Sequence, residues 1–502
     1  MPPTSAEPLP REARSGLDPY TRAEMPVPPN PKGLGWIPVV GPGVILLGLS
    51  IGSGEFLLGP AMIIKHGPTV LWIAACAIVL QTLFNLEVMR YTMATGEPVF
   101  SGFMRTKPSA TGWAWFYAAL YFLQNGWPAW AANAAGAVFF LGAGRLATGA
   151  DANTVYLIGL ATYAVCFGLL LFGRRIERTL EILNWVLVGG VLIGFTALAL
   201  LFVPGSIWAR TLAGFIGYDT VAGGFHPFPA DIDLTLLGAF AAFTGAGGMA
   251  NLTLSNWARD KGYGMSGNAG YIASATGEKV NLAHGGFSFE PTTEAMSRWR
   301  GWWRIVRVDQ WGVFFVGAAL GMALPAMLYL AFVPAGTAIS GLGAAATLAE
   351  SSGRAVAPVL GMIVAVMAVW ILFKTQLDQM EGLTRAITDI LWTGSRRLRS
   401  WRGGDVRAVY YGVLIVGVSW GAIALKLAQP FFLLQLAANM AGVVFVIASI
   451  HLLYINCTLL PPALRPPLSR RIALVVFAAF YGTFVTLWLG SLLAGAAGGR
   501  VH

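Results

Sequence analysis

The sequence predicts an all-α integral membrane protein of about 11 transmembrane helices, built as two five-helix repeats that enter the membrane in opposite senses. Three observations predict it. The 502 residues are 56% hydrophobic and 11% charged, and apolar stretches repeatedly reach the ~20 residues that cross a hydrocarbon core. Of the 33 Lys and Arg residues, 26 fall in the tail and loops of one face and six on the other, with Lys374 inside a span; that asymmetry places the N-terminus in the cytoplasm. Glycine-rich steps interrupt the first and sixth spans. A repeat of five is odd, so its second copy must run upside down, with discontinuous helices 1 and 6 as counterparts.

The elements follow in order. Residues 1–35 carry nine prolines and no apolar signal-like region, which reads as a disordered cytoplasmic tail. Repeat 1 covers 36–203, with spans near 36–65, 69–94, 113–143, 154–173 and 178–203. An extracytoplasmic loop, 204–234, leads into repeat 2 over 235–455, with spans near 235–258, 308–333, 355–380, 408–428 and 430–455. Residues 456–502 hold an eleventh span, near 471–494, and the C-terminus. The loop 259–307 ends in Arg298-Trp299-Arg300-Gly301-Trp302-Trp303-Arg304-Ile305-Val306-Arg307. Interleaved Trp and Arg predict a helix in the inner interface, with indoles at headgroup level.

Composition also excludes functions. The three cysteines, Cys76, Cys166 and Cys457, lie in apolar segments without Cys-x-x-Cys spacing, so neither a disulfide framework nor a thiolate zinc site is expected. The net charge of +10 is a topology signal and not a nucleic-acid footprint. No phosphate-binding Gly-x-x-x-x-Gly-Lys-Ser/Thr loop and no His-Glu-x-x-His motif occurs, so an enzyme is not expected and no cofactor is called for. Energy for transport would come from an ion gradient. The expected setting is the cell (inner) membrane, with lipids and a small cation or solute cargo as partners and no nucleic acid.

The breaks carry the chemistry. Gly52-Ser53-Gly54 meets Glu55 in the first span, and Thr244-Gly245-Ala246-Gly247-Gly248-Met249-Ala250-Asn251 interrupts the sixth. Freed backbone groups and a carboxylate at membrane depth are tolerated only inside protein or along a wet cavity. Glycines alone also serve close helix packing. Glu55 has a second reading as the cap of a half-helix. Lys374 with Asp378, and Glu87 with Arg90, have the spacing of local ion pairs, and His451 reads as a packed, hydrogen-bonded histidine.

Here the chain resembles the Nramp divalent-metal transporters, within the amino acid-polyamine-organocation group that shares the LeuT-like fold. The resemblance rests on Gly41-Pro42-Gly43 entering span 1, Gln81 and Thr95-Gly96 around span 2, and Gly173-Arg174-Arg175-Ile176-Glu177 opening span 5. Asn251-Leu252-Thr253-Leu254 in span 6 and Met380-Glu381-Gly382 closing span 8 complete it. It implies the LeuT-like 5+5 inverted repeat and alternating access. The departures fall at the expected metal site. The family's Asp-Pro-Gly-Asn aligns with Gly52-Ser53-Gly54-Glu55, its Met-Pro-His with Gly248-Met249-Ala250, and a later histidine with Ser255. Span 3 offers Gln124, Asn125 and Asn133 in place of acidic residues.

The surviving candidates are oxygen ligands, which suit hard cations such as Mg²⁺, Mn²⁺ or Ca²⁺. The expected cargo site is Gly52, Ser53, Gly54, Glu55, Thr244, Gly247, Gly248, Asn251, Gln435 and Asn439, with Glu55, Asn251 and Gln435 on the metal. A same-fold symporter of a small organic solute is the alternative, and a non-cycling channel or sensor a further one.

Overall fold

The computed structural model describes residues 16–171, 176–229, 231–270, 285–401 and 405–497. Among them, nine helices are long and apolar enough to cross a membrane. The other two expected spans are each split into two shorter helices, so the chain is an all-α, eleven-span membrane protein. Residues 1–15, 172–175 and the Ser53 side chain, on which parts of the sequence reading fall, lie outside the described residues.

Burial sorts the spans. The most apolar window of span 1 (Pro42–His66) is 100% buried, whereas those of span 4 (Gly149–Leu171), span 9 (Val406–Ala424) and span 11 (Leu468–Ala494) are only 28% buried. A helix that is apolar all round and wholly enclosed forms the centre of a bundle, and the others supply its lipid-facing rim. Span 2 (Pro68–Thr95) follows it in sequence, and around span 1 stand span 5 (Ile176–Phe202), both halves of span 6, span 7 and span 8 (Pro358–Gly394).

Span 6 breaks as expected. Its first half, Leu234–Phe243, ends at Thr244, and its second half, Met249–Lys261, begins after Gly248. Gly245, Gly247 and Gly248 have φ of +97°, +80° and +62°, a backbone region that side chains penalise. Span 1 differs from expectation. It does not unwind; Ile51–Leu58 widens into a π-helical stretch between Pro42–Ser50 and Gly59–His66. Its glycines permit close approach instead: a Cβ on Gly54 would lie 1.9 Å from the Phe243 carbonyl oxygen, and one on Gly52 would lie 1.8 Å from Thr375 Oγ1. Span 3, expected to be continuous, breaks between Ala110–Asn125 and Ala129–Ala143. Pro128 lacks an amide donor and disfavours helix at the residue before it.

Two further expectations change. Residues 16–35, read as disordered, form a strap across one face. Thr21–Arg22 pairs in parallel with Phe287–Ser288, and Tyr20 and Tyr91 hydroxyls meet at 2.9 Å. Prolines remove donors but leave carbonyls, and the strap uses these: Met25 O accepts from Arg298 and Pro26 O from Trp302 Nε1, both at 2.8 Å. The Trp/Arg helix, Thr293–Arg307, runs on through Val308–Phe315 into span 7, which ends at Phe332. Trp299 and Trp302 are buried against protein in place of lipid headgroups: Trp302 bonds to the strap and packs near Tyr263, and Trp299 packs with Phe289 and Trp303.

Candidate functional site

The unwound segment of span 6 exposes backbone groups that a membrane interior cannot hydrate. Side chains from three other spans satisfy them. Gly245 N–H donates to Glu55 Oε1 of span 1 at 3.1 Å. Gln81 of span 2 gives its amide to the Thr244 carbonyl at 2.6 Å and to the Tyr481 hydroxyl at 2.9 Å, while its oxygen faces Gly247 N–H at 3.5 Å. Gln124, at the break of span 3, accepts from Met249 N–H at 2.9 Å and donates to Gly247 O at 3.1 Å. An amide side chain suits this work because it offers a donor and an acceptor to an interrupted backbone that presents both.

Glu55 is wholly buried. Ser50 Oγ donates to its Oε1, so one oxygen serves both span 1 and span 6. Its other oxygen, Oε2, is buried with no hydrogen-bond partner among the described residues. Asn251, in the first turn of the second half of span 6, repeats the pattern. Its amide donates to Asn85 Oδ1 at 2.8 Å and Gln81 Oε1 at 3.3 Å, and its Oδ1 is buried and unpartnered among the described residues. Buried acceptors are nearly always satisfied, because an unmet one costs about 1–3 kcal/mol. Two such oxygens therefore border one unwound backbone segment, in a conformation that encloses both.

The expected site residues divide accordingly. Glu55, Thr244, Gly247, Gly248 and Asn251 come together at the break. Gly52 and Gly54 belong to the π-helical stretch and provide close contacts, not free carbonyls. Asn439 of span 10 (Pro430–Thr458) instead clasps the first half of span 6: its amide donates to Thr235 O at 3.0 Å and to Gln435 O at 2.9 Å. Gln435 is half-buried beside it, and its described link is that carbonyl contact. The polarity of Asn439 is thus used to hold a helix start, more than two turns before the break. The sequence reading omitted Gln81, Asn85, Gln124 and Ser50 from the site. Their signal was a polar residue inside an apolar span.

The local ion pairs form as read. Arg90 Nε meets Glu87 at 2.7 Å, and Lys374 pairs with Asp378. His451 is hydrogen-bonded to Tyr117 and Thr106 at 2.8 and 2.9 Å and stacks on Phe103 at 4.3 Å.

No family model and no curated protein matches the chain. Solved structures do. The manganese transporter of Eremococcus coleocola, in complex with an aromatic bis-isothiourea compound, superposes with a TM-score of 0.62 at 16% identity, covering 95% of this chain and 92% of the other. A single-residue variant of that transporter gives a TM-score of 0.60 over the same shares. Mhp1, a nucleobase-cation-symport-1 family transporter in a closed conformation, gives 0.52 at 14% identity, again covering 95% and 92%. The chain has the fold of these proteins. It is the LeuT-like arrangement, two inverted five-helix units plus an eleventh helix, and at such identities the likeness speaks for fold alone.

Proposed function

We propose that the chain is a secondary active transporter that moves a small, hard cation across the cell membrane by alternating access, with Glu55 as its charged contact. The observation that carries this reading is the pair of buried acceptors beside the broken helix, Glu55 Oε2 and Asn251 Oδ1, that have no partner among the described residues. Two acceptors without a donor suit a cation. One carboxylate neutralises one charge, so the cargo is either singly charged or a partly hydrated dication. Among the described residues no group of three His, Cys, Asp or Glu side chains is placed to hold a metal, which fits a passing cargo better than a tightly held resident ion. The names of the structural neighbours, a manganese transporter and a cation symporter, support the class.

A second reading rests on a different atom. Asn85 Nδ2 is buried without an acceptor among the described residues. A metal ion cannot use that donor, whereas a small organic solute with both a carbonyl and an amino group would use it together with the two acceptors. A thermal-shift screen of purified protein separates the readings, since a ligand at about 100 times its dissociation constant stabilises the folded state by about 2.7 kcal/mol. Stabilisation by Mg²⁺, Mn²⁺ or Ca²⁺ that Glu55→Gln removes supports the metal reading. Stabilisation by amino acids or organic cations alone moves the assignment to the second.

A further inference from the structure

Span 8 carries a buried charged cluster that the cargo site does not use. Lys374 and Asp378, one turn apart, are 3% and 0% exposed and form an ion pair. Lys374 Nζ also donates to Asn184 Oδ1 of span 5, and Asn184 Nδ2 faces the two Asp378 oxygens at 3.5 and 3.3 Å. Span 1 closes the third side. A Cβ on Gly48 would come within 2.0 Å of Lys374 Nζ and 1.9 Å of Asn184 Oδ1, so the ammonium fills the space that a side chain at position 48 would take. Beside it, Thr375 Oγ1 reaches the Gly48 carbonyl at 3.3 Å. The cluster is therefore the seat on which span 1 rests against span 8, and that seat lies two turns from Glu55.

A buried ion pair holds helices together no better than apolar residues of similar volume. Ionisable groups kept inside a membrane protein mark ion and proton pathways. Among the described residues, the other charged and titratable groups on the helices packed against the pair are occupied elsewhere or uncharged. On span 8, Glu381 pairs with Arg385 and accepts from Trp257; on span 5, Glu181 pairs with Lys261. Span 4 presents Cys166, near Asp378, with Tyr163 beside it. Span 7 contributes Asp309, which accepts from the Gly41 and Gly43 amides at 3.1 Å. On span 1, Glu55 belongs to the cargo site.

We propose that Asp378 is a proton-binding coupling site whose protonation releases span 1 from span 8. The proposal deepens the transporter reading and rests on it for its place in a cycle. A proton passes from hydronium to an Asp378 oxygen: one O–H bond forms, one breaks, and water leaves. The neutral acid no longer holds the Lys374 ammonium, which keeps its own protons and swings off Gly48. Deprotonation restores the seat. Each cargo movement is thereby linked to one proton.

The test needs no cargo. In a chain with Cys76, Cys166 and Cys457 replaced by Ala, Thr375→Cys reports the contact, because Thr375 is wholly buried beneath span 1. With a membrane-permeant thiol reagent, normalised at each pH to an exposed model thiol, the introduced group is expected to react about tenfold faster near pH ~5 than near pH ~8. Adding Asp378→Asn is expected to give the faster rate at both pH values. A normalised rate that does not change with pH, or a slow rate in Asp378→Asn, overturns the proposal. Should Asp378→Asn fail to fold, the pH profile of the parent decides alone. Should Mn²⁺ uptake fail while this profile appears, the cargo reading falls and the coupling site stands.

Discussion

Glu55 joins span 1 to the break of span 6 through one oxygen and leaves the other unmet among the described residues, and this asymmetry separates its structural role from its functional one. Glu55→Gln keeps an oxygen to accept the Gly245 N–H; its melting temperature is expected to stay close to that of the parent while ion-dependent stabilisation disappears. Glu55→Leu removes the acceptor altogether, and the orphaned amide is expected to cost about 1–3 kcal/mol, read as a lower melting temperature. Glu55 was legible in the sequence because a carboxylate beside glycines in an apolar span is rare. Gln81 and Gln124 were not, since a lone amide in an apolar helix looks the same whether it bridges two helices or completes a broken backbone. Gly248, aligned with a sulfur ligand of the resembling family, has φ of +62° and a would-be Cβ 2.3 Å from Gln124 Oε1. That position is held by glycine for backbone reasons, so a side chain there cannot restore a thioether contact.

The helices show which breaks a sequence can announce. Three positive-φ glycines within four residues dictate the loss of helix in span 6, and this was readable. In span 1 glycine only lowers the cost of leaving the α-helix, and the packing of Phe243 and Thr375 against Gly54 and Gly52 favours a wider helical turn over an unwound one. The break in span 3 followed from Pro128, whose effect was hidden by the hydrophobicity on either side. The first half of span 6 is fixed at its start by Asp233, whose side chain accepts from Leu236 N–H at 3.0 Å and from Lys65 at 2.8 Å. Burial alone would raise the Asp233 pKa, but the bonds from Lys65 and the helix amides outweigh it and hold it below the ordinary value. A depressed folded-state pKa gives stability that is present above the unfolded value and lost as pH falls through the folded one. Asp233→Asn is therefore expected to flatten the acid limb of a melting-temperature profile, and an unchanged limb would remove Asp233 from this role.

At the scale of the whole molecule, charge asymmetry and span count were readable because the membrane imposes them. The strap of residues 16–35 was not, because its contacts use backbone carbonyls and depend on a loop some 260 residues away, where Phe287 and Ser288 pair with it. Orientation remains an expectation from Lys and Arg placement, with a direct check in intact cells lacking native cysteines. An impermeant thiol reagent is expected to label Gly149→Cys from outside and to leave Ser400→Cys unlabelled; the reverse pattern would invert the topology. The central claim is that a small hard cation crosses this protein by way of Glu55, and uptake of Mn²⁺ into proteoliposomes tests it most directly. The account predicts saturable uptake by the wild-type chain, competition from Mg²⁺ and Ca²⁺ at concentrations within about tenfold of Mn²⁺ itself because no thioether selects against them, and no uptake through Glu55→Gln. Absence of uptake for all three ions in the wild type, or undiminished uptake through Glu55→Gln, would contradict it.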